Sequence, residues 1–125
     1  MILLRLSEIL AMHDRALREH GGAPGIRDVG AIEAAIVAVD NRVWYEQADA
    51  ITCAATYAFH LTMAHGFIDG NKRVAAATTA VFLVANDLDL LATEDELFDL
   101  FMSIAASRMS RDEVEVWLRR HVAPA

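Results

Sequence analysis

The sequence predicts an all-α fold, a single compact bundle of about six helices with a buried central helix. Three observations carry that expectation. Apolar residues recur at helical spacing along almost the whole chain. Two Ser/Thr-x-x-Glu pairs, Thr93 with Glu96 and Ser110 with Glu113, mark helix starts in the last third. Glycine and proline number only six and two, so long disordered segments are not expected.

The elements follow in order. Ile9, Leu10, His13, Ala16 and Leu17 line a first helix from Ser7 to about Glu19, which Gly21-Gly22 ends. Ala23 to Arg27 is a loop. Asp28 can cap a second helix containing Ile32, Ile36 and Val39. Asn41 to Gln47, with Trp44 and Tyr45, reads as a connection or a short continuation. A third helix runs from about Ala48 to Ala64. After a polar loop, a fourth runs from about Asn71 to Ala85 and stops at Asn86-Asp87. Val74, Ala75, Ala77, Ala80 and Val81 to Val84 leave that helix almost no polar face, which predicts a place at the bundle centre. Thr93 opens a fifth helix, to about Ser107, and Ser110 a sixth, to about His121. Leu88 to Leu91 and Ile2 to Arg5 suit short extended pieces. No repeat or linker interrupts the pattern, so residues 1–125 read as one domain.

Composition narrows the function. Of the 125 residues, 55% are hydrophobic, enough for one well-buried core. The formal charge of −7 argues against direct nucleic-acid binding, which needs clustered lysine and arginine. It suits a basic partner or a protein substrate. The single cysteine, Cys53, lies in an apolar stretch and reads as a buried small hydrophobe in a reducing compartment. The opening MILLRLSEIL is too short and too soon charged for a signal peptide. No apolar run approaches the roughly 18 residues of a membrane span. The expectation is a cytoplasmic protein with no membrane partner.

The chemistry gathers between Ala64 and Ala75, AHGFIDGNKRVA. The first N–H groups of a helix lack internal partners, and the helix dipole adds positive charge there. Gly70 lets backbone approach a ligand, and Asn71, Lys72 and Arg73 add donors and two cations. Together these favour a phosphate site. His65, on the far side of the loop, can act as general base on a hydroxyl. Asp69 beside a phosphate suits Mg2+, which usually takes one or two carboxylates plus phosphate oxygens. Phe67 is expected to pin the loop into the core, with help from Ile68. His60 reads as a packed or hydrogen-bonded core histidine. His13, His20 and His121 show no metal-ligand spacing.

His65-Gly66-Phe67-Ile68-Asp69-Gly70-Asn71-Lys72-Arg73 resembles the core motif of the Fic/Doc proteins, and most closely the death-on-curing branch, H-x-F-x-D/N-A/G-N-K-R. Gly21-Gly22-x-Pro24-Gly25 ahead of Asp28 to Ile36, and Arg42-Val43-x-Tyr45-Glu46, are similar to the family as well. The resemblance covers nearly the whole chain. It implies the Fic/Doc helical fold and an enzyme that uses ATP and Mg2+. In Doc toxins the γ-phosphate goes to a protein hydroxyl, on elongation factor Tu, and a small Phd-type antitoxin neutralises the toxin. Carried over, His65, Asp69 and Lys72 are catalytic, Asp69 is the metal residue, and Gly70, Asn71, Lys72 and Arg73 bind the nucleotide.

The chain departs from the wider Fic pattern, H-P-F-x-x-G-N-G-R-x-x-R, in ways that favour the kinase side. Lys72 stands where Fic has glycine and would crowd a phosphate in the Fic pose. Ala76 stands where Fic has its second arginine. Gly66 replaces proline. Thr78 stands where a typical Doc has asparagine, a nucleotide contact. The alternatives are a Fic-type AMP transferase and an inactive module that only binds its antitoxin. No Ser or Thr is followed four residues later by Glu, so the self-inhibitory S/T-x-x-x-E motif of many Fic proteins is absent from this sequence.

Overall fold

The computed structural model describes residues 1–125. Six helices form the body: α1 Leu6–His20, α2 Val29–Glu46, α3 Ala50–Ala64, α4 Asn71–Ala85, α5 Glu94–Ala105 and α6 Arg111–His121. Two three-residue strands, β1 Leu88–Leu90 and β2 Val122–Pro124, complete it. No helix is long and apolar enough to cross a membrane.

The helix starts are fixed by local chemistry. Asp28 accepts from the Ala31 N–H at 3.0 Å, and Asp49 from the Thr52 N–H at 2.9 Å. Both capping boxes form, Thr93 with Glu96 and Ser110 with Glu113. Each such cap is worth about 1 kcal/mol. The Asn41–Gln47 stretch resolves as continuation. α2 runs unbroken to Glu46 and ends where Gln47 turns left-handed, φ 51°.

The central helix is α3, not α4. Thr52 to Ala58, Leu61 and Thr62 are all buried on α3, which packs against α2, α4, α5 and α6. Ala54, Ala55 and Ala58 keep the neighbouring helices close. Its buried threonines are tolerated because Thr56 Oγ1 donates to the Thr52 carbonyl and Thr62 Oγ1 to the Ala58 carbonyl, both at 2.7 Å. Cys53 is wholly buried there, and burial pushes its thiol up to about 11, an unreactive state. α4 instead lies at the side of the bundle, with Val81 46% and Val84 67% exposed. Its alanine-rich sequence reads as apolar all round because alanine counts as hydrophobic yet is indifferent to exposure.

Both expected extended pieces are present in different forms. Leu88–Leu90 is β1, paired antiparallel with β2 in the register Leu88↔Pro124, Asp89↔Ala123 and Leu90↔Val122. Ile2 to Arg5 joins no sheet and is held by side chains. Tyr57 donates its hydroxyl to the Leu4 carbonyl at 2.8 Å and accepts from the Leu4 N–H at 3.0 Å. Asn86 accepts from the Ile2 N–H at 2.7 Å and donates to the Ile2 carbonyl at 2.9 Å.

Candidate active site

The polar motif occupies the turn from α3 into α4, and the α1–α2 loop runs beside it as a second edge. The Arg27 and Asp28 N–H groups donate to the Gly66 carbonyl at 2.7 and 3.0 Å, and the Ile68 N–H donates to the Gly25 carbonyl at 3.1 Å. Ile26 and Phe67 form an antiparallel bridge between the two loops. Phe67 points inward and is fully buried, as expected of an anchor. Ile68 is half exposed and lies over Gly25, so it covers the neighbouring loop instead of reaching the core.

His65 ends α3 in a left-handed conformation, φ 48° and ψ 42°, which turns the chain out of the helix. Histidine is among the non-glycine residues that adopt this region more readily. Its side chain is exposed and forms no hydrogen bond within the protein. Gly66 is buried against α2. A Cβ there would overlap Ile32 Cγ1, and would lie 2.9 Å from Ile32 Cδ1 and 3.2 Å from the Asp28 carbonyl.

Asp69 is exposed, yet its carboxylate is fixed. Oδ2 accepts from the Ala23 N–H at 3.1 Å and Oδ1 from the Gly70 N–H at 2.8 Å. These two backbone donors, Ala23 first, hold its carboxyl below the usual carboxylate range, and Arg73 adds to the effect. A Cβ on Gly22, at φ 121°, would lie 2.8 Å from Asp69 Oδ2. The two glycines therefore divide the work: Gly21 ends α1, and Gly22 gives the carboxylate room.

Gly70 is the N-cap of α4, with φ 80°, a conformation suited to glycine. Asn71 uses its whole side chain on the loop. Its Oδ1 accepts from the Phe67 N–H at 3.0 Å and its Nδ2 donates to the Phe67 carbonyl at 2.9 Å. What Asn71 can offer an anion is its backbone N–H, one of the free donors at the helix start. Lys72 and Arg73 are exposed, and neither lies within ion-pair distance of a carboxylate. Arg73 also borders a groove of about 400 Å3 between α1 and α4, floored by Ala76 and Ala77. Thr78 is fully buried and its hydroxyl has no partner, so position 78 faces the core and no ligand.

One residue of the site escaped the sequence reading. His13, on α1, is buried beneath the motif, with Nε2 2.7 Å from the Asp69 carbonyl oxygen. Its ring stacks on Phe67 with centroids 3.8 Å apart and planes 16° apart. The available signal was its place in the apolar stripe of α1, one turn after Ile9, where a histidine must have a polar partner. His60 accepts from Arg111 Nη1 at 3.2 Å, away from the motif; it is hydrogen-bonded as expected, but half-buried beside the core and not in it.

Chemically, the turn offers a free imidazole on one side and a helix N-terminus with two unpaired cations on the other. Between them in the chain lies an oriented carboxylate, Asp69. No three His, Cys, Asp or Glu side chains converge elsewhere or here on a metal-sized site. A divalent cation at Asp69 would thus draw its other ligands from phosphate and water, the usual arrangement for Mg2+.

The Fic/DOC family model matches residues 3–83, from the segment before α1 through most of α4, and the chain belongs to that family. It is also 37% identical, over 114 residues, to the protein kinase doc of Escherichia phage P1, covering 90% of each chain. That likeness puts it on the Doc branch.

Proposed function

We propose that this protein transfers the γ-phosphate of ATP to a hydroxyl on a protein of the translation machinery, and that it is the toxin of a toxin–antitoxin pair acting in the cytoplasm. The observation that carries the reading is that one short loop between α3 and α4 holds an unbonded His65, a fixed Asp69 carboxylate and an uncompensated positive helix start, Gly70 to Arg73. The name of the phage relative, a protein kinase, supports the same chemistry.

In this reading, His65 takes the proton from the target hydroxyl as its oxygen bonds to the γ-phosphorus. The bond to the β,γ-bridging oxygen breaks and ADP leaves. The Gly70 to Arg73 segment receives the phosphates on backbone N–H groups and two cations, and Lys72 stabilises the phosphoryl group in transit. Asp69, already oriented by Ala23 and Gly70, would hold Mg2+ against the phosphate oxygens, where the ion would neutralise charge and aid departure of ADP. Ala76 supports transfer of the γ-phosphate over transfer of AMP: it leaves an open groove where Fic proteins carry a phosphate-binding arginine. The target is taken to resemble elongation factor Tu, and the partner a Phd-like antitoxin with a tail that folds on binding.

The deciding experiment uses ATP labelled at the α- or the γ-phosphate in a translation extract. Label on a protein band from γ-labelled ATP alone, with ADP released, is the expected result. Label from α-labelled ATP, with pyrophosphate released, would establish the AMP transferase instead.

A further inference from the structure

We propose that His13 is a positioning residue for the phosphate site, setting the orientation of the Asp69–Gly70 peptide on which the Asp69 carboxylate depends. The inference rests on the reading of Asp69 as the cation-holding residue, and extends it to a side chain 56 positions earlier in the sequence.

The Asp69 carbonyl and the Gly70 N–H belong to one planar trans peptide unit, so they point in opposite directions and rotate together. His13 Nε2 grips the carbonyl side of that unit at 2.7 Å. The N–H side is thereby aimed at Asp69 Oδ1, 2.8 Å away. A carbonyl oxygen can only accept, so His13 carries its proton on Nε2.

The peptide needs such a grip because Gly70 follows it. Glycine occupies positive and negative φ about equally well, so its own backbone does little to oppose a flip of the unit before it. At φ 80° Gly70 records the orientation selected. After a flip, the N–H would leave the carboxylate and the carbonyl would turn toward it. Asp69 would keep only the Ala23 donor. His13 is itself well braced. It is buried, and its ring lies flat on Phe67. The imidazole therefore acts on the metal residue through backbone, with no contact to the reacting atoms.

The test uses the full chain with H13F, H13Q and D69N. Phenylalanine keeps a ring on Phe67 and lacks the donor; glutamine keeps an N–H donor and lacks the ring. Mn2+ replaces Mg2+, its affinity in the presence of ATP is read by electron paramagnetic resonance, and phosphate transfer is resolved into kcat and KM. H13F is expected to weaken Mn2+ binding by about ten-fold or more, within the range for loss of an outer-shell partner, while KM for ATP stays within about three-fold. Its Gly70 amide resonance should shift. H13Q should recover most of the affinity, and D69N should lose more than H13F. Wild-type Mn2+ affinity in H13F would overturn the proposal. Equal losses in H13F and H13Q would overturn it too, since that pattern belongs to ring packing alone.

Should H13F fail to fold, the wild-type protein decides through the 15N resonances of its imidazole. A proton on Nε2 upholds the grip, and a neutral ring protonated only at Nδ1 overturns it. If wild type neither binds Mn2+ with ATP nor transfers phosphate, the proposed function fails. The Gly70 amide and the His13 proton would then still judge the positioning by themselves.

Discussion

Arg42 and Arg119 reach α3 from α2 and α6, while Lys72 and Arg73 stand at the start of α4, and the fold treats these two pairs of cations in opposite ways. Arg119 is paired with Asp49 and Glu115, both at 3.1 Å, and also donates to Thr52. Arg42 donates to Thr56 at 3.1 Å and lies 3.4 Å from Glu46 and 3.9 Å from Glu115. Three carboxylates thus answer two guanidinium groups, and the whole set binds three helices together. Lys72 and Arg73 have no such partners, and they sit where the helix dipole already contributes positive charge. Arrangement for stability would place acidic residues in that first turn, as α5 and α6 do with Glu94, Asp95, Glu96, Asp112 and Glu113. An uncompensated positive turn in a chain of net charge −7 is what an anionic ligand requires.

The comparison breaks most visibly at His65. His65→Asn tolerates the left-handed backbone and removes the proposed base, so the proposed phosphate transfer should fall about 10²–10⁴-fold with an unchanged circular dichroism spectrum. Arg119→Ala, in the compensated set, should do the reverse, lowering the melting temperature while the transfer rate holds. Equal activity losses in both would erase the distinction.

Stability separates the two regions next. Arg42 is only 11% exposed as a side chain, so Arg42→Ala should cost about 2 kcal/mol in denaturant unfolding through lost packing and unpaired partners. Lys72→Ala should be neutral or stabilising by about 0.3 kcal/mol, since it removes a like charge from the helix start. A larger gain is expected further along α4. Thr78→Val keeps the shape and deletes a buried hydroxyl with no partner, which should stabilise by about 1 kcal/mol.

The smallest effect concerns pH. Burial first, then the Arg111 charge, holds His60 below its ordinary value of 6.5. The unfolded chain therefore binds a proton at higher pH than the folded one. The stability that comes from keeping His60 neutral is fully present above 6.5 and is lost as pH falls below it. Thermal melting across that window should show a decline that His60→Gln reduces.

Much of this was legible in the sequence, because helix punctuation is local. Asp28, Thr93 and Ser110 announced their helices within three residues, and the motif from His65 to Arg73 is contiguous. What was not legible is long-range. β2 is three residues whose strand character comes only from pairing with β1. The central place of α3 depends on which of two alanine-rich helices has neighbours on all sides. Asn71 looked available for a ligand, and only the fold shows its amide closed on Phe67. His13 showed no metal-ligand spacing because its partner is a backbone carbonyl on the far side of the motif.

The fit of Ile32 into the space beside Gly66 constrains the paths by which this sequence can change. The wider Fic pattern carries proline at position 66, and proline brings the Cβ that Ile32 excludes here. A direct Gly66→Pro step would meet α2 before it could gain anything. Valine at 32 would keep the γ-carbon that a Cβ at 66 overlaps, so the way opens only with Ile32→Ala, which leaves a cavity in the core at a cost of about 2–5 kcal/mol. The two forms of the motif are therefore joined by an ordered route, with the change on α2 preceding the change in the loop. Residues 32 and 66 behave as a single heritable unit, and proline cannot enter the motif at 66 without the change at 32.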